Sequence, residues 1–441
     1  MITAFIDNDE NEKTIKEQAP PKLCYGCGTC SGICPNDAVI MHLDVEKGVY
    51  LPKVDRRKCK NCGICIRVCP WRSFDKREMD AFVYNRLSNN ILGNYIRCYL
   101  GRSSSKRLRS VGTSGGIVSA LLIFALKEGI IDGALVTRMS EERPLVPEPF
   151  IAKTESDIIS AAGSKYIHVP ANVALKEILR RKGRYAVVGL PCHIQGIRKA
   201  EKINAELNEK IVLHLGLFCS GTMSYYGIDL LLRLMNINYR DVSQIHFRSG
   251  NWPGGFIAFL KNGSQTPVIP FHAYFPAIRF YLPLSCLVCW DPTNELSDIS
   301  FGDAWLDPIR NPDDRGTSLI VSRTEKGEEL LKAAESKGVI KIDEIPCQEV
   351  IKAQKRSINF KKRNLALRLS LVRIMTNEVP IYRNVHQLNT FDYISKIRTL
   401  LLFIRCLLMS NKVTRIFITP ILMHLLVSRV KKHEHFANRG D

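Results

Sequence analysis

The sequence predicts an α/β core (α+β overall), preceded by a small cysteine-rich domain and followed by a basic, mostly helical tail. Between residues 111 and 345, apolar strand-like runs alternate with helical runs. Such alternation is typical of an α/β domain with a mostly parallel sheet. Eight of the 15 cysteines lie within residues 23–75, and Lys and Arg accumulate after residue 350. Three parts of different composition therefore follow one another.

Composition also predicts the bounds of the parts. The chain has 441 residues and 45% hydrophobic content, which is enough for more than one domain with its own core. The predicted segments are a flexible tail at 1–22, the cysteine-rich domain at 23–75, a basic connector at 76–110, the first part of the core at 111–185, its second part at 186–345, and the basic tail at 346–441.

The charge balance narrows the classes of partner. The net charge is +20, with 63 Lys and Arg against 43 Asp and Glu. This surplus favours an acidic electron carrier, a phosphorylated cofactor, nucleic acid or an anionic membrane. The basic runs contain no interleaved aromatic residues and no nucleic-acid-reading motif, so nucleic acid is the least favoured.

Targeting features point to a cytoplasmic protein. Residues 1–21 contain no apolar stretch of the kind found in signal peptides. The uncharged run at 416–428 is well short of the roughly 20 apolar residues that a membrane span needs. In the cytoplasm disulfides are rare, so metal or redox roles are the default expectation for the cysteines.

The cysteine-rich domain repeats one pattern, C-x2-C-x2-C-x3-C-P. The pattern resembles bacterial two-cluster ferredoxins, in which three cysteines of a run hold one [4Fe-4S] cluster and the fourth reaches the other. Zinc sites are the alternative, but zinc usually takes two C-x2-C pairs, and runs closed by proline match that poorly. The predicted ligands are Cys24, Cys27, Cys30 and Cys69 for one cluster, and Cys59, Cys62, Cys65 and Cys34 for the other.

Four more cysteines lie in the core. Cys192 and Cys219 each follow a strand-like run, and Cys286 and Cys289 form a C-x2-C pair. If the two strands are parallel neighbours, their carboxyl ends meet and the four thiols converge on one soft-metal site. The alternative is that Cys192 and Cys219 are small buried side chains, and spacing leaves both interpretations open. Three cysteines without a pattern are expected to be structural: Cys98, Cys347 and Cys406.

A family resemblance bears on this choice. Residues 95–345 resemble the family of coenzyme F-420 hydrogenase/dehydrogenase beta subunits through six motifs in the same order. They are TSGGIVSAL (113–121), AAGSKYIHV (161–169), VVGLPCHIQGIRK (187–199), HLGLFCSG (214–221), FRSGNWPGG (247–255) and CLVCWDPTNELSDISFGDAW (286–305). The resemblance implies FAD beside a [4Fe-4S] cluster. It also implies that the four core cysteines, Cys192, Cys219, Cys286 and Cys289, hold a third cluster.

The same resemblance turns weak motifs into candidate flavin contacts. The loop at 112–116 offers backbone N–H groups to a pyrophosphate, although an ordinary helix cap is the alternative. Lys165 suits a phosphate and Tyr166 a ring, with a solvated turn as the alternative. The expected cofactor-binding residues are Thr113, Ser114, Gly115, Gly116, Gly163, Ser164, Lys165, Tyr166 and Arg248. Further candidates are the run 252–255 and Asp303, for which a structural role fits equally well. A GxGxxG fingerprint is absent, and no general acid or base is predicted.

These features predict an iron–sulfur flavoprotein oxidoreductase with three [4Fe-4S] clusters and FAD. The resemblance implies electron exchange between a two-electron hydride carrier, such as coenzyme F-420, and a one-electron carrier or partner redox subunit. A relay subunit without flavin is the first alternative, and a nucleic-acid-binding iron–sulfur protein is the second. The basic tail suits either peripheral contact with the inner membrane face or, preferably, a packed helical domain with a solvated basic face.

Overall fold

The structure is a computed structural model that describes residues 23–306, 315–377, 379–388, 393–410, 414 and 418–419. The predicted flexible tail at 1–22 and most of the chain after 410 lie outside the described residues.

The secondary structure is given in chain order. The described strands are β1 (Val39–Asp44), β2 (Val49–Val54), β3 (Ser73–Asp75), β4 (Arg97–Ser103), β5 (Gly133–Met139), β6 (Pro147–Ala152), β7 (Tyr185–Gly189), β8 (Ile211–Leu217), β9 (Val242–Ser249), β10 (Gly255–Leu260), β11 (Ile269–Pro270), β12 (Ile299–Asp303), β13 (Ser318–Ser322), β14 (Ile340–Ile345) and β15 (Ile381–Arg383). The described α-helices are α1 (Thr29–Gly32), α2 (Ile64–Arg67), α3 (Lys76–Tyr84), α4 (Lys106–Val111), α5 (Ile117–Lys127), α6 (Glu155–Ser160), α7 (Leu175–Arg180), α8 (Pro191–Glu201), α9 (Ala205–Lys210), α10 (Tyr225–Leu234), α11 (Phe271–Ile278), α12 (Leu284–Leu287), α13 (Glu325–Ser336), α14 (Cys347–Ala353), α15 (Lys355–Lys362), α16 (Leu365–Thr376) and α17 (Tyr393–Ser410).

An eight-stranded mixed sheet forms the centre of the core. Its spatial order is β14-β4-β13-β12-β8-β7-β5-β6. The four strands β12, β8, β7 and β5 are parallel, and the other neighbouring pairs are antiparallel. The expectation of a mostly parallel sheet is therefore wrong: parallel pairing is confined to the four central strands, and antiparallel strands lie at both edges.

The predicted connector at 76–110 contributes to this sheet. Its strand β4 pairs with β13 on one side and β14 on the other. Tyr99 of β4 is buried in the main apolar cluster, together with Leu122 and Phe124 of α5. Because α5 is apolar on nearly every side, it is covered all round rather than on one face. The connector is thus part of the core.

The parallel strands bring three functional segments to one edge of the sheet. In the paired register, Gly189 of β7 lies opposite Gly216 of β8, and Leu217 of β8 lies opposite Phe301 of β12. Cys192, Cys219 and Asp303 come within three residues after those positions. Ligands of open α/β sheets commonly bind at this carboxyl edge.

A smaller sheet and the cysteine-rich domain pack beside the main sheet. Strands β11, β10 and β9 form the smaller sheet, and β1 and β2 form a hairpin in the cysteine-rich domain. Helix α1 approaches the core so closely that a Cβ on Gly32 would overlap the carbonyl oxygen of Asn172. The Asn172 amide donates to Thr29 Oγ1 at 2.7 Å and to the His193 carbonyl at 2.9 Å. The cysteine-rich domain is therefore docked on the core.

The chain after residue 350 folds back over both parts. Strand β15 pairs in parallel with β3 of the cysteine-rich domain. Lys362 is fully buried and contacts Glu295 at 2.5 Å, and Lys361 and Arg368 are also buried. The preferred expectation of a solvated basic face is thus wrong for these three residues. Among the described helices, none combines the length and apolar character that crossing a membrane requires.

Candidate functional site

The outer cysteine group consists of Cys34, Cys59, Cys62 and Cys65, which together line one surface pocket. Asn61 and Gly63 have positive φ values of 52° and 69°, so the loop turns sharply between the cysteines and into α2. Asn and Gly tolerate that conformation best. The fourth cysteine comes from the other run, as the ferredoxin spacing predicts.

The inner cysteine group consists of Cys24, Cys27, Cys30 and Cys69, which together line a second pocket. The Gly26 N–H donates to Cys24 Sγ at 3.2 Å, and Thr29 Oγ1 lies 3.2 Å from Cys27 Sγ. Gly26 has a φ of 60°, and a Cβ there would overlap the His168 ring. Only glycine fits this close approach of backbone to sulfur.

The chemistry of the inner group fits a cationic iron–sulfur centre. Burial raises the pKa of Cys27 to about 11. Burial also raises the pKa of Cys30, and the nearby thiols of Cys24, Cys27 and Cys69 raise it further. Buried thiolates that lie close together repel one another and need a neutralising positive charge. Bound iron would supply this charge and keep the thiols deprotonated.

The core group consists of Cys192, Cys219, Cys286 and Cys289. Cys192 lies in the first turn of α8, Cys219 follows β8, and the C-x2-C pair spans α12 and the residues after it. The four are brought together, since the pKa of Cys192 is raised by burial and then by nearby thiols that include Cys219, Cys289 and Cys286. Burial and the last two thiols likewise raise the pKa of Cys219 to about 12.

Two buried polar networks hold the core group in place. The Asp291 carboxylate accepts from the Thr293 and Asn294 backbone N–H groups at 3.0 and 2.8 Å, which orders the turn after Cys289. Helix α8 is joined to the rest of the core by Arg198, which contacts Asp298 at 3.3 Å. Each network fixes an element that carries a cysteine.

Lys361 is a component of the core group that the sequence did not reveal. It is 1% exposed, and its ammonium group donates to the Cys286 carbonyl at 3.3 Å. Burial by itself lowers the pKa of Lys361, but the neighbouring thiols, Cys289 first, outweigh burial and raise it above its ordinary value. A charged lysine beside the thiols of Cys219, Cys286 and Cys289 is a built-in countercharge.

The three groups lie in series. Cys65 of the outer group raises the pKa of Cys30 of the inner group, and Cys27 of the inner group raises that of Cys192 of the core group. The hydroxyls of Tyr25 and Tyr382 are hydrogen-bonded to each other. Both tyrosines also interact electrostatically with Cys192 and Cys289. The inner group therefore stands between the other two.

Single-metal alternatives fit less well. Among the residues that the structure describes, no three His, Cys, Asp or Glu side chains are placed to hold one metal ion. The outer and inner cysteines instead surround one pocket each, with one cysteine of each run crossing to the other group. This crossed arrangement is typical of two-cluster ferredoxins and favours a polynuclear cluster over the zinc alternative.

The predicted flavin segments converge on Arg248. Its guanidinium donates to the Tyr166 hydroxyl at 2.8 Å and contacts Asp303 at 3.0 Å. It also reaches the Thr113 carbonyl at 3.4 Å and lies 4.5 Å from the Phe271 ring centroid. Four motifs distant in sequence thus meet near the sheet edge that carries Cys219.

An aromatic wall surrounds this Arg248 network. Phe271 stacks on Trp305 at 5.6 Å between ring centroids and on Phe275 at 4.5 Å. Trp252 lies tilted against Trp305 with 4.7 Å between ring centroids, and its indole N–H donates to Asp303 at 3.5 Å. Asp303 and the run 252–255 were candidates from the sequence, but the pairing of Asp303 with Arg248 and the contribution of Phe271 and Phe275 were not predicted, because they depend on long-range contacts.

Several predicted flavin contacts already have protein partners. The Lys165 ammonium donates to the Ala161, Ala162 and Gly163 carbonyls at 2.5, 3.0 and 3.0 Å. It therefore binds the three carbonyl groups that directly follow α6. The Ser114 hydroxyl donates to the Thr317 carbonyl at 2.7 Å.

The neighbouring small residues have local structural reasons. A Cβ on Gly115 would overlap the Gly101 carbonyl, and Gly116 caps α5 with a φ of 70°. Ser164 donates from its N–H and hydroxyl to Thr113 Oγ1 at 2.7 and 3.0 Å, while Gly163 is exposed with a φ of 81°. The cofactor role of these residues stays a prediction.

Family models match most of the described chain. Residues 98–176 match the model for the N-terminal part of the coenzyme F-420 hydrogenase/dehydrogenase beta subunit, and residues 182–348 match the model for its C-terminal part. Residues 23–73 match a 4Fe-4S dicluster domain. The models end before Lys361 and β15.

Individual proteins of this family are also similar in sequence to this chain. The coenzyme F-420 hydrogenase subunit beta of Methanothermobacter thermautotrophicus is 30% identical over 59% of this chain and 88% of its own length. A subunit of the F(420)H(2) dehydrogenase of Methanosarcina mazei is 28% identical over 75% of this chain and 90% of its own length. The coenzyme F-420-dependent sulfite reductase of Methanocaldococcus jannaschii is 28% identical over 76% of this chain and 49% of its own length.

A solved structure shares the fold. A chain of the F-420-reducing [NiFe] hydrogenase complex from Methanosarcina barkeri superposes with a TM-score of 0.54 and 26% identity. The match covers 68% of this chain and 99% of that one.

Proposed function

The chain belongs to the family of coenzyme F-420 hydrogenase/dehydrogenase beta subunits, and from this we propose that it is an iron–sulfur flavoprotein oxidoreductase. It exchanges hydride with coenzyme F-420 or a similar two-electron carrier at FAD, and single electrons with a partner through three [4Fe-4S] clusters. The observation that carries this proposal is the series of three cysteine groups ending at the sheet edge beside the Arg248 network.

The cysteine groups give the chain its one-electron side. Bound flavin would exchange two electrons as hydride, and bound clusters would carry them one at a time. Cys34 and Cys69 cross between the two runs, which ties the outer and inner groups into one unit. Lys361 supplies a positive charge at the core group, and the surrounding apolar residues Val288, Val372 and Phe403 exclude water.

The Arg248 network supports the flavin part of the proposal. Arg248 and the Thr113 loop offer donors suited to phosphate or to a polar ring edge, and Phe271 and Trp305 offer flat apolar surfaces suited to an isoalloxazine ring. Asp303 holds the guanidinium in place at 3.0 Å. This chain's residues would bind and orient the flavin, and no side chain is assigned as a general acid or base.

A relay subunit without flavin is the second candidate. It is favoured by one observation: Ser114, Lys165 and Arg248 already donate to protein groups, so binding FAD would require some of these bonds to be exchanged. In either case a redox partner is proposed, because several relatives are named as subunits of hydrogenases or dehydrogenases.

Anaerobic purification followed by iron, sulfide and flavin analysis tests both candidates. Three four-iron clusters and one flavin correspond to about twelve irons and one FAD per chain. Twelve irons without flavin would support the relay, and about eight irons without flavin would overturn the core cluster and the flavin together.

A cysteine variant assigns the third cluster. Cys192→Ser should lower the content to about eight irons, because the core group loses a ligand. Cys347→Ser changes a half-buried cysteine outside the three groups and serves as the matched control, with its iron content unchanged.

A further inference from the structure

The outer cysteine group is the accessible end of the series. Cys62 is exposed, whereas Cys27 and Cys30 of the inner group and Cys289 of the core group are buried. The tail covers the opposite end, where Lys361 contacts the core group. Electron tunnelling weakens steeply with distance, so a one-electron partner has to approach the outer group.

Exposed cations surround this end of the series. Lys58 and Lys60 flank Cys59, and Lys60 also lines the outer cavity. The Arg57 side chain is 92% exposed and pairs with Asp55 at 3.3 Å. Asp55 is the single acidic residue between positions 51 and 69. The exposed side chains of this cation ring are Lys53, Arg56, Arg57, Lys58, Lys60 and Arg67.

The ring is not a uniform consequence of the net charge of +20. The corresponding first run, residues 23–40, contains no Lys or Arg and one acidic residue, Asp37. Asp37 pairs with Arg180 of the core at 3.0 Å and also with Lys176. The cations of the cysteine-rich domain are therefore concentrated at the exposed group, whereas the buried group has none in its own run.

We propose that the cation ring is the docking surface for an acidic one-electron carrier protein, an inference that rests on the proposed function. Opposite charge steers the partner into the encounter and orients its cofactor toward Cys62. In each encounter one electron crosses between the outer cluster and the carrier's cofactor, so that one is oxidised as the other is reduced. No covalent bond forms in this step.

Stopped-flow kinetics on the full protein test the proposal. The cluster-loaded chain is reduced anaerobically, freed of excess reductant and mixed with an oxidised acidic plant-type [2Fe-2S] ferredoxin as the probe. We expect the second-order rate constant to fall steeply with salt and to fall about tenfold or more in Lys58→Glu/Lys60→Glu at low ionic strength. Basic cytochrome c, used in parallel, should show the opposite change.

A matched variant separates local from overall charge. Lys337→Glu/Lys341→Glu changes the net charge of the protein by the same amount as Lys58→Glu/Lys60→Glu, but at exposed positions at and beside the edge strand β14. This variant should keep a near wild-type rate constant. Equal losses in both double variants, or a rate with ferredoxin that charge reversal leaves unchanged, would overturn the docking proposal.

Iron content distinguishes failure of the proposed function from failure of the docking surface alone. Absence of bound iron in the wild type would overturn the proposed function, and the docking surface with it. A fully loaded protein that reduces methyl viologen normally, but shows no effect of ring charge on ferredoxin, would overturn the docking surface alone.

Discussion

At the residue scale, Lys361 places a buried positive charge beside the core cysteines. Its partners are the Cys286 carbonyl and the thiols of the group, and Arg368 donates to the Lys361 carbonyl at 2.7 Å. Extra electron density on a cluster is stabilised by such a charge. We therefore expect Lys361 to tune the reduction potential of a cluster held by the core group.

Replacing Lys361 by Met should lower the reduction potential of the core cluster. At an effective dielectric constant of about 20, one charge several ångströms away contributes about 2–3 kcal/mol, or roughly 100 mV for one electron. A redox titration followed by electron paramagnetic resonance measures the shift. Lys355→Met changes an exposed lysine of the same helix and should leave the potential unchanged. An unchanged potential in Lys361→Met, with full iron content, would refute the tuning role.

Some contacts of single residues can be predicted from the sequence, and others cannot. The crossed grouping of Cys34 and Cys69 follows from local spacing, which ligand geometry dictates. Lys361 lies in a run of cations that reads as a solvated surface, and its burial depends on contacts with residues some 70 positions earlier, such as Cys286. The Lys165 ammonium donates to the Ala161 carbonyl, a contact that the sequence does not indicate, and its role in flavin binding stays a prediction.

At the element scale, the contact between α1 and α8 docks the cysteine-rich domain. Gly196 of α8 faces Thr29 of α1, and a Cβ on Gly196 would overlap Thr29 Oγ1. Helices this close need a residue without a side chain at the crossing. The contact joins the element carrying Cys30 to the one carrying Cys192.

Gly196→Ala should destabilise the protein by about 1–3 kcal/mol through overpacking. We expect a lower thermal midpoint and faster iron loss from the inner and core groups. In Gly196→Ala/Thr29→Ala the truncated threonine makes room, so the two changes should be non-additive. Thermal unfolding by circular dichroism measures both, and strictly additive losses would show that Gly196 is not limited by Thr29.

Elements differ in how well they can be predicted. The alternation of strands and helices from β5 to β8 can be predicted from the local hydrophobic pattern. The parallel pairing of β7 with β8 then brings Cys192 and Cys219 to one edge of the sheet. Strand β4 sits in a stretch rich in polar and basic residues, so only its partners β13 and β14 define it. Long-range pairing of this kind carries no local signature.

At the scale of the whole molecule, the series of cysteine groups has a direction. The outer group meets solvent, the inner group is enclosed, and the core group adjoins the Arg248 network. Loss of the outer group should disconnect the partner side while leaving the rest intact.

Cys62→Ser and Cys34→Ser should each remove the same outer cluster, although the two residues lie in different runs. We expect about eight irons per chain and electron transfer to ferredoxin slowed by more than tenfold, with direct reduction of the remaining clusters preserved. Iron analysis and paramagnetic resonance provide the measurement. If Cys34→Ser altered the inner signal instead, the crossed grouping would be refuted.

The return of the chain has a consequence for biosynthesis. The two cysteine runs leave the ribosome early, but Lys361 and Tyr382, which lie against the inner and core groups, are made long after them. At about 5–20 residues per second, the interval from residue 69 to residue 383 lasts roughly 15–60 seconds. During that time the nascent thiols are open to delivery of iron and sulfide and equally open to oxidation. Pairing of β15 with β3 would therefore enclose the cysteine groups only after both cysteine runs have been made.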